Sequence, residues 1–244
     1  MKQILKLFDD TPYISHPQIR ISANESITSL ATFNETRKRK LTYQNINLTY
    51  NLNYVGKNEL PEVKPYIGAI PKILTPYSMK RNGDKSGAIH FFIDDYHFVG
   101  MYLWGHLNRF TRGLSEYQSI IAPDYSIYLD QSRTLNLFQI YQNRVVTAIW
   151  QQMGLNVIPS VSWGNADSFE YCFDALPQQS VIAIGGMGNG HHKSMTELWE
   201  YGVRLTIERL HPTALIIYGA PKRLELPVST YYFESYIHTK LRRL

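Results

Sequence analysis

The sequence predicts an α/β fold of parallel βα repeats, an incomplete TIM-like barrel, preceded by an irregular basic N-terminal arm. Three observations predict it. From Gly87 onward, short runs rich in Ile, Val and aromatic residues alternate with amphipathic stretches, one unit in about 30 residues, the length of a βα repeat. These runs are apolar throughout, as strands covered on both faces are. Five of the six runs end in Asp, Ser, Trp, Gly or Tyr, which suits a barrel, where every strand delivers its C-terminal end to one mouth. The alternative is an open doubly wound sheet, in which only the strands at the switch point need polar ends. Six strands fall short of the eight of a closed barrel, so the barrel stays incomplete unless the arm adds strands.

The strands expected are Ala88–Ile93, Ser119–Ala122, Val157–Ser162, Val181–Ile184, Ala214–Tyr218 and Ser229–Phe233. Pro159 inside the third marks an edge or a bulge, because it has no N–H for a ladder. A first helix over Tyr96–Phe110 follows from Phe98, Met101, Leu103, Leu107 and Phe110 at helical spacing. A second over Thr134–Met153 puts Leu135, Phe138, Tyr141, Val145, Ile149 and Met153 on one face, with Gly154 as its stop. A shorter third begins at Asn165 or Asp167 and ends before Pro177. The fourth opens at Ser194, with Glu197 reaching back as a capping box, and closes before His211 and Pro212. The link Ala220–Val228 holds two prolines and predicts no helix.

Residues 1–86 read as the arm and linker, and residues 87–244 as the α/β domain. Within the arm, Ile46, Leu48, Tyr50 and Leu52 alternate with polar residues, the pattern of a half-exposed strand pair. Pro61, Pro65, Pro71 and Pro76 then punctuate an extended linker. The net charge of +5 lies in the arm: residues 1–86 hold 13 Lys and Arg against 7 Asp and Glu, the remainder 12 against 13. The run Arg37, Lys38, Arg39, Lys40 heads that excess. Such an imbalance reads either as contact with nucleic acid or as a solvated face.

At 44% hydrophobic residues the chain can bury a large core, and one cysteine, Cys172, makes no internal disulfide. The N-terminus is too charged for a signal peptide and no segment nears the ~20 apolar residues of a membrane span. The expectation is a soluble cytoplasmic protein without a membrane partner. Its oligomeric state is open.

The stretch from Val181 to Ser194 is the richest in chemistry. A strand runs into Gly185, Gly186, Gly188 and Gly190, then His191, His192 and Lys193, before a helix. Glycines let a backbone approach a ligand, and a helix start offers free N–H groups to an anion; a plain flexible turn is the other reading. Lys193 and Ser194 come too late for a Walker A loop, and His191 stands where a dinucleotide fingerprint needs its third glycine. Adjacent His191 and His192 do not ligate one metal from one helical face. Asp94 and Asp124 close the first two strands, where paired carboxylates share a divalent metal or divide the roles of acid and base. Asp95 reads more simply as a helix cap. Ser126 follows Asp124, Ser162 and Trp163 close the third strand, and Trp163 offers a stacking surface or a core residue. Arg144, inside the second helix, either lies on the surface or reaches an acidic strand end. His90 and His106 read as structural.

Six motifs, in this order and spacing, resemble a known family: Phe92 to Phe98 (FIDDYHF), Ala122 to Ser126 (APDYS), Asn143 with Arg144, Val157 to Trp163 (VIPSVSW), Cys172 to Asp174 (CFD) and Phe233 to Ser235 (FES). The family is domain-of-unknown-function family 4417 of bacteria and phages, and the resemblance covers about residues 85–235, leaving out the arm. It implies a phage or mobile-element context, in replication, modification or host conflict, and no particular reaction. The residues themselves suggest binding, with hydrolysis or transfer, of a phosphate-bearing ligand: a nucleotide or nucleic-acid end. Asp94 and Asp124 would supply acid-base or metal-binding groups. Arg144, Gly186, Gly188, Gly190 and Lys193 would hold the anion beside Ser126 and Ser162, and Trp163 would stack on a base. The alternative is a non-catalytic phage or plasmid protein that sequesters a nucleotide or blocks a host factor. The cofactor is left open, a divalent metal being one candidate.

Overall fold

The structure is a computed structural model that describes residues 46–49, 51–98, 107–186 and 192–235. In chain order these form a helical turn α1 (Ile46–Thr49) and a hairpin of β1 (Tyr54–Val55) and β2 (Leu60–Pro61). Then come β3 (Leu74–Pro76), β4 (Ala88–His90), α2 (Leu107–Thr111), β5 (Ser119–Ile121) and α3 (Arg133–Gln152). Next are β6 (Val157–Ile158), β7 (Ser160–Val161), β8 (Val181–Gly185), α4 (Lys193–Leu210), β9 (Ala214–Tyr218) and β10 (Thr230–Phe233). Short 3-10 turns occupy Tyr77–Met79, Asp95–His97 and Ala166–Glu170.

Apart from the hairpin, every strand pairing is parallel. One sheet has the order β3-β4-β5-β6 and the other β7-β8-β9-β10. Only Pro159 separates β6 from β7, so the two sheets share a strand broken where the ring supplies no N–H. The Pro159 carbonyl still accepts from the Ala183 N–H at 2.8 Å. Strand order thus follows chain order with no reversal, whereas a doubly wound sheet reverses at its switch point. No pairing joins β10 to β3 among the described residues, and no closed barrel forms.

Side-chain alternation divides the core into three. Ala88, Phe92, Ile121, Ile158, Ala183, Ile216 and Tyr218 form one cluster on the inner face. Their neighbours Ile89, Phe91, Ile120 and Val157 pack outward with Val145, Ile149 and Trp150 of α3. Ile182, Ile184, Leu215 and Ile217 pack outward with Trp199 and Val203 of α4. The inner face curls on itself: the His90 ring, at the end of β4, lies 4.2 Å from that of Tyr218, at the end of β9. Fully burying a side chain such as Ile or Phe contributes roughly 1.5–3 kcal/mol, so these three clusters supply most of the driving force.

All six expected strands are present, Ala214–Tyr218 with the expected ends, β8 one residue longer and the others shorter, and β3 adds a seventh from the segment read as a linker. The boundary at residue 86 therefore cuts through the sheet. Leu52, Leu60 and Val63 are likewise core residues. The Val63 N–H donates to the Ala175 carbonyl at 3.0 Å and the Lys64 N–H to Gln151 Oε1 at 2.9 Å. This segment covers the outer side of α3, which corrects the expected stripe of that helix. Leu135, Phe138 and Met153 are exposed, while Asn143, Arg144, Val146, Thr147 and Trp150 are buried, because α3 is sandwiched rather than half-solvated.

The expected stop of α3 is present, Gly154 taking φ 80° just beyond the helix, and at the other end Ser132, one residue before Arg133, accepts from the Leu135 N–H at 3.2 Å. Helix α4 starts one residue before Ser194, with His192 at the cap position and no side-chain cap bond. Residues 46–49 are helical rather than extended, since Leu48 and Leu52 both pack toward the α3 cluster at helical spacing. Of the first expected helix, the described residues hold the 3-10 turn and α2; residues 99–106 lie outside them. The third expected helix is the 3-10 turn Ala166–Glu170, capped by Asn165 accepting from the Ser168 N–H at 3.1 Å. Among the described residues, no helix is long and apolar enough to cross a membrane.

Gly202 of α4 tests this packing, since a Cβ there would stand 2.1 Å from a Trp163 ring atom. Gly202→Ala is expected to lower unfolding stability by about 1–3 kcal/mol, and a second change, Trp163→Leu, to recover part of it, both read by denaturant titration.

Candidate functional site

Parallel pairing brings the C-terminal ends of all these strands to one rim, and the polar residues gather there. Asp124 follows β5 and Pro123, whose carbonyl accepts from Asn143 Nδ2 at 2.6 Å, so α3 holds the turn in place. The Asp124 carboxyl reaches the end of β8: a Cβ on Gly185 would lie 3.1 Å from its Oδ2 and 2.9 Å from the Phe92 ring. Only glycine leaves that space. Asp124 Oδ1 is cut off from solvent with no hydrogen-bond partner. Burial, then the charge of Asp95, push the Asp124 carboxyl up to about 7 against a hydrogen bond from Ser162.

Asp95 is the second carboxylate. The Ser126 N–H and hydroxyl donate to it at 3.1 and 2.9 Å. Burial still raises its pKa over the pull of these bonds, and the Asp94 charge adds to the rise. Asp94 itself is exposed, at the cap position of the 3-10 turn without a side-chain cap bond. The expected roles of the two are thus exchanged. Strand alternation would point Asp94 inward with Ala88 and His90, but β4 ends at His90 and the turn after it re-aims the next residues.

His90 completes the inner group. It is fully buried, and burial pulls its imidazole down to about 3, so it is neutral. Its Nδ1 accepts from the Phe92 N–H at 3.2 Å, which assigns the proton to Nε2. That Nε2 is buried without a partner, as is the Tyr125 hydroxyl. A satisfied structural histidine would not have an orphan donor. Ser119 Oγ and Gln139 Oε1 are buried without partners too, but the other three such atoms among the described residues belong to residues at or just beyond the ends of β4 and β5, where water or a ligand would satisfy them.

Several expected ligand groups are placed elsewhere. Arg144 is 2% exposed and donates to the carbonyls of Asp174 at 3.0 Å and Cys172 at 2.6 Å and to Asn143 Oδ1 at 2.5 Å. It clamps the loop beneath α3 and leaves no free edge for an anion. Trp163 is half-buried, packing on Gly202 of α4 and lying 6.0 Å from the Phe169 ring, against the cluster of the outer face. Gly186 serves a close backbone approach: a Cβ would lie 2.7 Å from the Ala220 Cα, and its N–H donates to the Tyr218 carbonyl at 2.8 Å. Lys193 projects into solvent and pairs with Glu197 at 3.7 Å. Gly188, Gly190, His106, His191 and the arm residues Arg37, Lys38, Arg39 and Lys40 lie outside the described residues. Ser126 and Ser162 are at the site, each as a donor to a carboxylate. Among the described residues, no group of three or more His, Cys, Asp or Glu is placed to hold a metal ion.

From sequence Asp95 reads as a helix cap, His90 as structural, Gly185 as part of the glycine loop and Tyr218 as a strand end, and all four stand at the rim. The paired aspartates and the strand-end Gly and Tyr were visible as polar tips, but which tips face inward depends on where each strand stops.

A curled parallel sheet with two neighbouring carboxyls and a buried, neutral histidine at its C-terminal rim defines a class: an α/β protein of parallel strands. The chain belongs to the family described as domain of unknown function (DUF4417), which it matches over residues 52–232. That span takes in the hairpin and β3, beyond the limits set by the motifs alone. The chain is 32% identical over 188 residues to the "Gene 1 protein" of Mycobacterium phage L5, covering 75% of this chain and 80% of that protein. It is 28% identical over 196 residues to the "Gene 1 protein" of Mycobacterium phage D29, covering 79% and 71%. No solved structure matches it.

The raised carboxyl makes stability depend on pH. Unfolded, Asp124 ionises near 3.8; folded, near 7. Between these values the native state keeps a proton that the unfolded chain has lost, so stability falls as pH rises through the window and levels off above it. Asp124→Asn is expected to flatten this slope and to raise stability at pH 8 by ~2 kcal/mol, measured by denaturant titration from pH 4 to 8. Arg144→Ala, which strands two buried carbonyls, is expected to lower stability by ~3 kcal/mol at every pH tested, by the same measurement.

Proposed function

We propose that this protein binds a phosphate-bearing ligand, a nucleotide or nucleic-acid end, at the strand-end rim and hydrolyses or transfers it by acid-base catalysis. The observation that carries the reading is the Asp95–Asp124 pair, in which burial and mutual repulsion hold Asp124 protonated up to about pH 7. A carboxyl poised near neutrality donates a proton to a leaving group, while a second, more acidic carboxylate takes one from the attacking water. The buried His90 Nε2–H adds a donor for an oxygen in the interior. An incomplete TIM-like barrel is the architecture this implies, since such folds place their chemistry at the C-terminal rim. A divalent metal would sit on the same two carboxylates, with the rest of its shell from waters and substrate phosphate. The run Arg37–Lys40 would guide a nucleic acid toward the rim. The role would lie in replication, modification or host conflict in the bacterial cytoplasm, a context suggested by relatives that are phage proteins.

A second reading, a non-catalytic interaction protein, is favoured by one feature. Tyr128 and Leu129 are exposed beside the exposed Leu135 and Phe138 of α3, with the two segments tied by Asn136 to the Tyr128 backbone at 2.8 and 3.1 Å. An apolar patch of this kind marks a protein contact.

Turnover of nucleotides and of end-phosphorylated oligonucleotides, with and without Mg2+, separates the two. On the catalytic reading, Asp124→Asn and Asp95→Asn each reduce kcat by about 10²–10⁴-fold while leaving ligand affinity near that of the parent. Tight binding with no turnover, unchanged by Asp124→Asn, selects the second reading.

A further inference from the structure

A separate cavity of about 480 Å3 opens beside this rim, lined by Tyr77, Lys80, Arg81, Asn82, His97 and Phe110 among others. Its walls come from the turn that directly follows β3 and the turn that follows β4. His97 lies in the same 3-10 turn as Asp95, so one turn carries both a cavity wall and a site carboxylate. The volume falls within the roughly 300–1,000 Å3 of small-molecule pockets.

Among the described residues the lining carries two cations, Lys80 and Arg81, and no carboxylate. Lys80 is fixed rather than free: its Nζ donates to the Tyr77 hydroxyl at 2.7 Å and stands 4.3 Å from the Tyr77 ring centre and 5.4 Å from that of Phe110. Burial, then the charges of Arg81 and Lys85, pull its ammonium below the ordinary lysine pKa. Of the carboxylates near these cations, Glu116 pairs with Lys85 at 3.6 Å and Asp84 accepts from the Ser86 N–H and hydroxyl at 2.9 and 2.7 Å, while the exposed Asp94 stands at the start of the turn that carries His97. Cations held together against their repulsion around an open volume are stabilised by an entering anion. In the turn that carries His97, Tyr96 is 71% exposed, its ring centre 4.0 Å from that of His97 and tilted 37° to it, an exposed aromatic pair of which His97 reaches the cavity wall.

We propose that this cavity binds the terminal phosphate of a nucleotide or of a single-stranded nucleic-acid end, with Lys80 and Arg81 on the phosphate and the Tyr96–His97 pair under the base. Base stacking on aromatic residues beside positive charge suits unpaired nucleotides. The inference rests on the phosphate-ligand reading above and relocates its anion subsite from Arg144 and the glycine loop to the ends of β3 and β4.

Calorimetric titration of the full chain tests it, with AMP, adenosine, and a short oligothymidylate with and without a 5′-phosphate as probes. AMP or the phosphorylated oligonucleotide binds at least about tenfold more tightly than its unphosphorylated counterpart, the worth of one charge-assisted hydrogen bond. Which of the two binds better identifies the source of the phosphate. Arg81→Ala, at an exposed position, and Lys80→Met, which keeps the packing on Tyr77, each remove most of that preference, and Tyr96→Ala weakens both members of a pair. Equal binding of phosphorylated and unphosphorylated probes, or a preference unaltered by Arg81→Ala, overturns the proposal. Turnover without any phosphate preference overturns this subsite alone, and the preference without turnover counts against the catalytic reading alone.

Discussion

The contact of His90 with Tyr218 across the inner face is the constraint on which the site depends. It exists because seven parallel strands pair in chain order, and a right-handed twist accumulated over so many neighbours brings the second strand within reach of the sixth. Curling makes the inner face as apolar as the outer one, which lies under α3 and α4. Polar groups can then persist only at the strand ends, and parallel pairing sends those ends to one rim. The break at Pro159 is compatible with this because the shared strand pairs with β5 on one side of it and β8 on the other.

At that rim the structure works against its own stability. A carboxyl with an unpartnered oxygen, beside a second carboxylate and a neutral histidine with an orphan donor, is worse for folding than apolar residues of the same size. The surroundings are arranged to hold the groups in place. Gly185 makes room for Asp124, Asn143 fixes the turn before it, and two serines donate to the carboxylates. Arg144, although charged, belongs to this support, since its guanidinium is spent on backbone carbonyls. Strain of this kind concentrates where a protein does chemistry.

The six strands and the two long helices were legible because their signals are local: β-rich apolar runs, Gly154 beyond the end of α3, Pro212 beyond α4. The candidate site was legible only as a set of polar tips. Asp124, Ser126 and Ser162 belong to the rim, but Asp94 gave way to Asp95 because β4 stops at His90. Trp163 lies against α4 because Gly202 opens a slot that no local pattern announces. The apolar stripe assigned to α3 failed for a related reason. A helix covered on both sides buries residues all round its circumference, and the cover comes from Leu52 to Val63, about 90 residues away in sequence from the middle of the helix.

By itself the sequence determined the class of fold, the order of its elements and the end of the sheet at which polar groups collect, because hydrophobic period and turn chemistry are written into neighbouring residues. The tertiary structure alone decided which aspartate faces its partner, which arginine is consumed by the backbone, and that β3 and the hairpin belong to the fold. Each of those depends on the distance between groups remote in the chain, set by sheet curl, strand length and helix packing. The basic cavity is of the same kind, since Lys80 and Arg81 acquire His97 and Phe110 as neighbours only when β3 is laid beside β4.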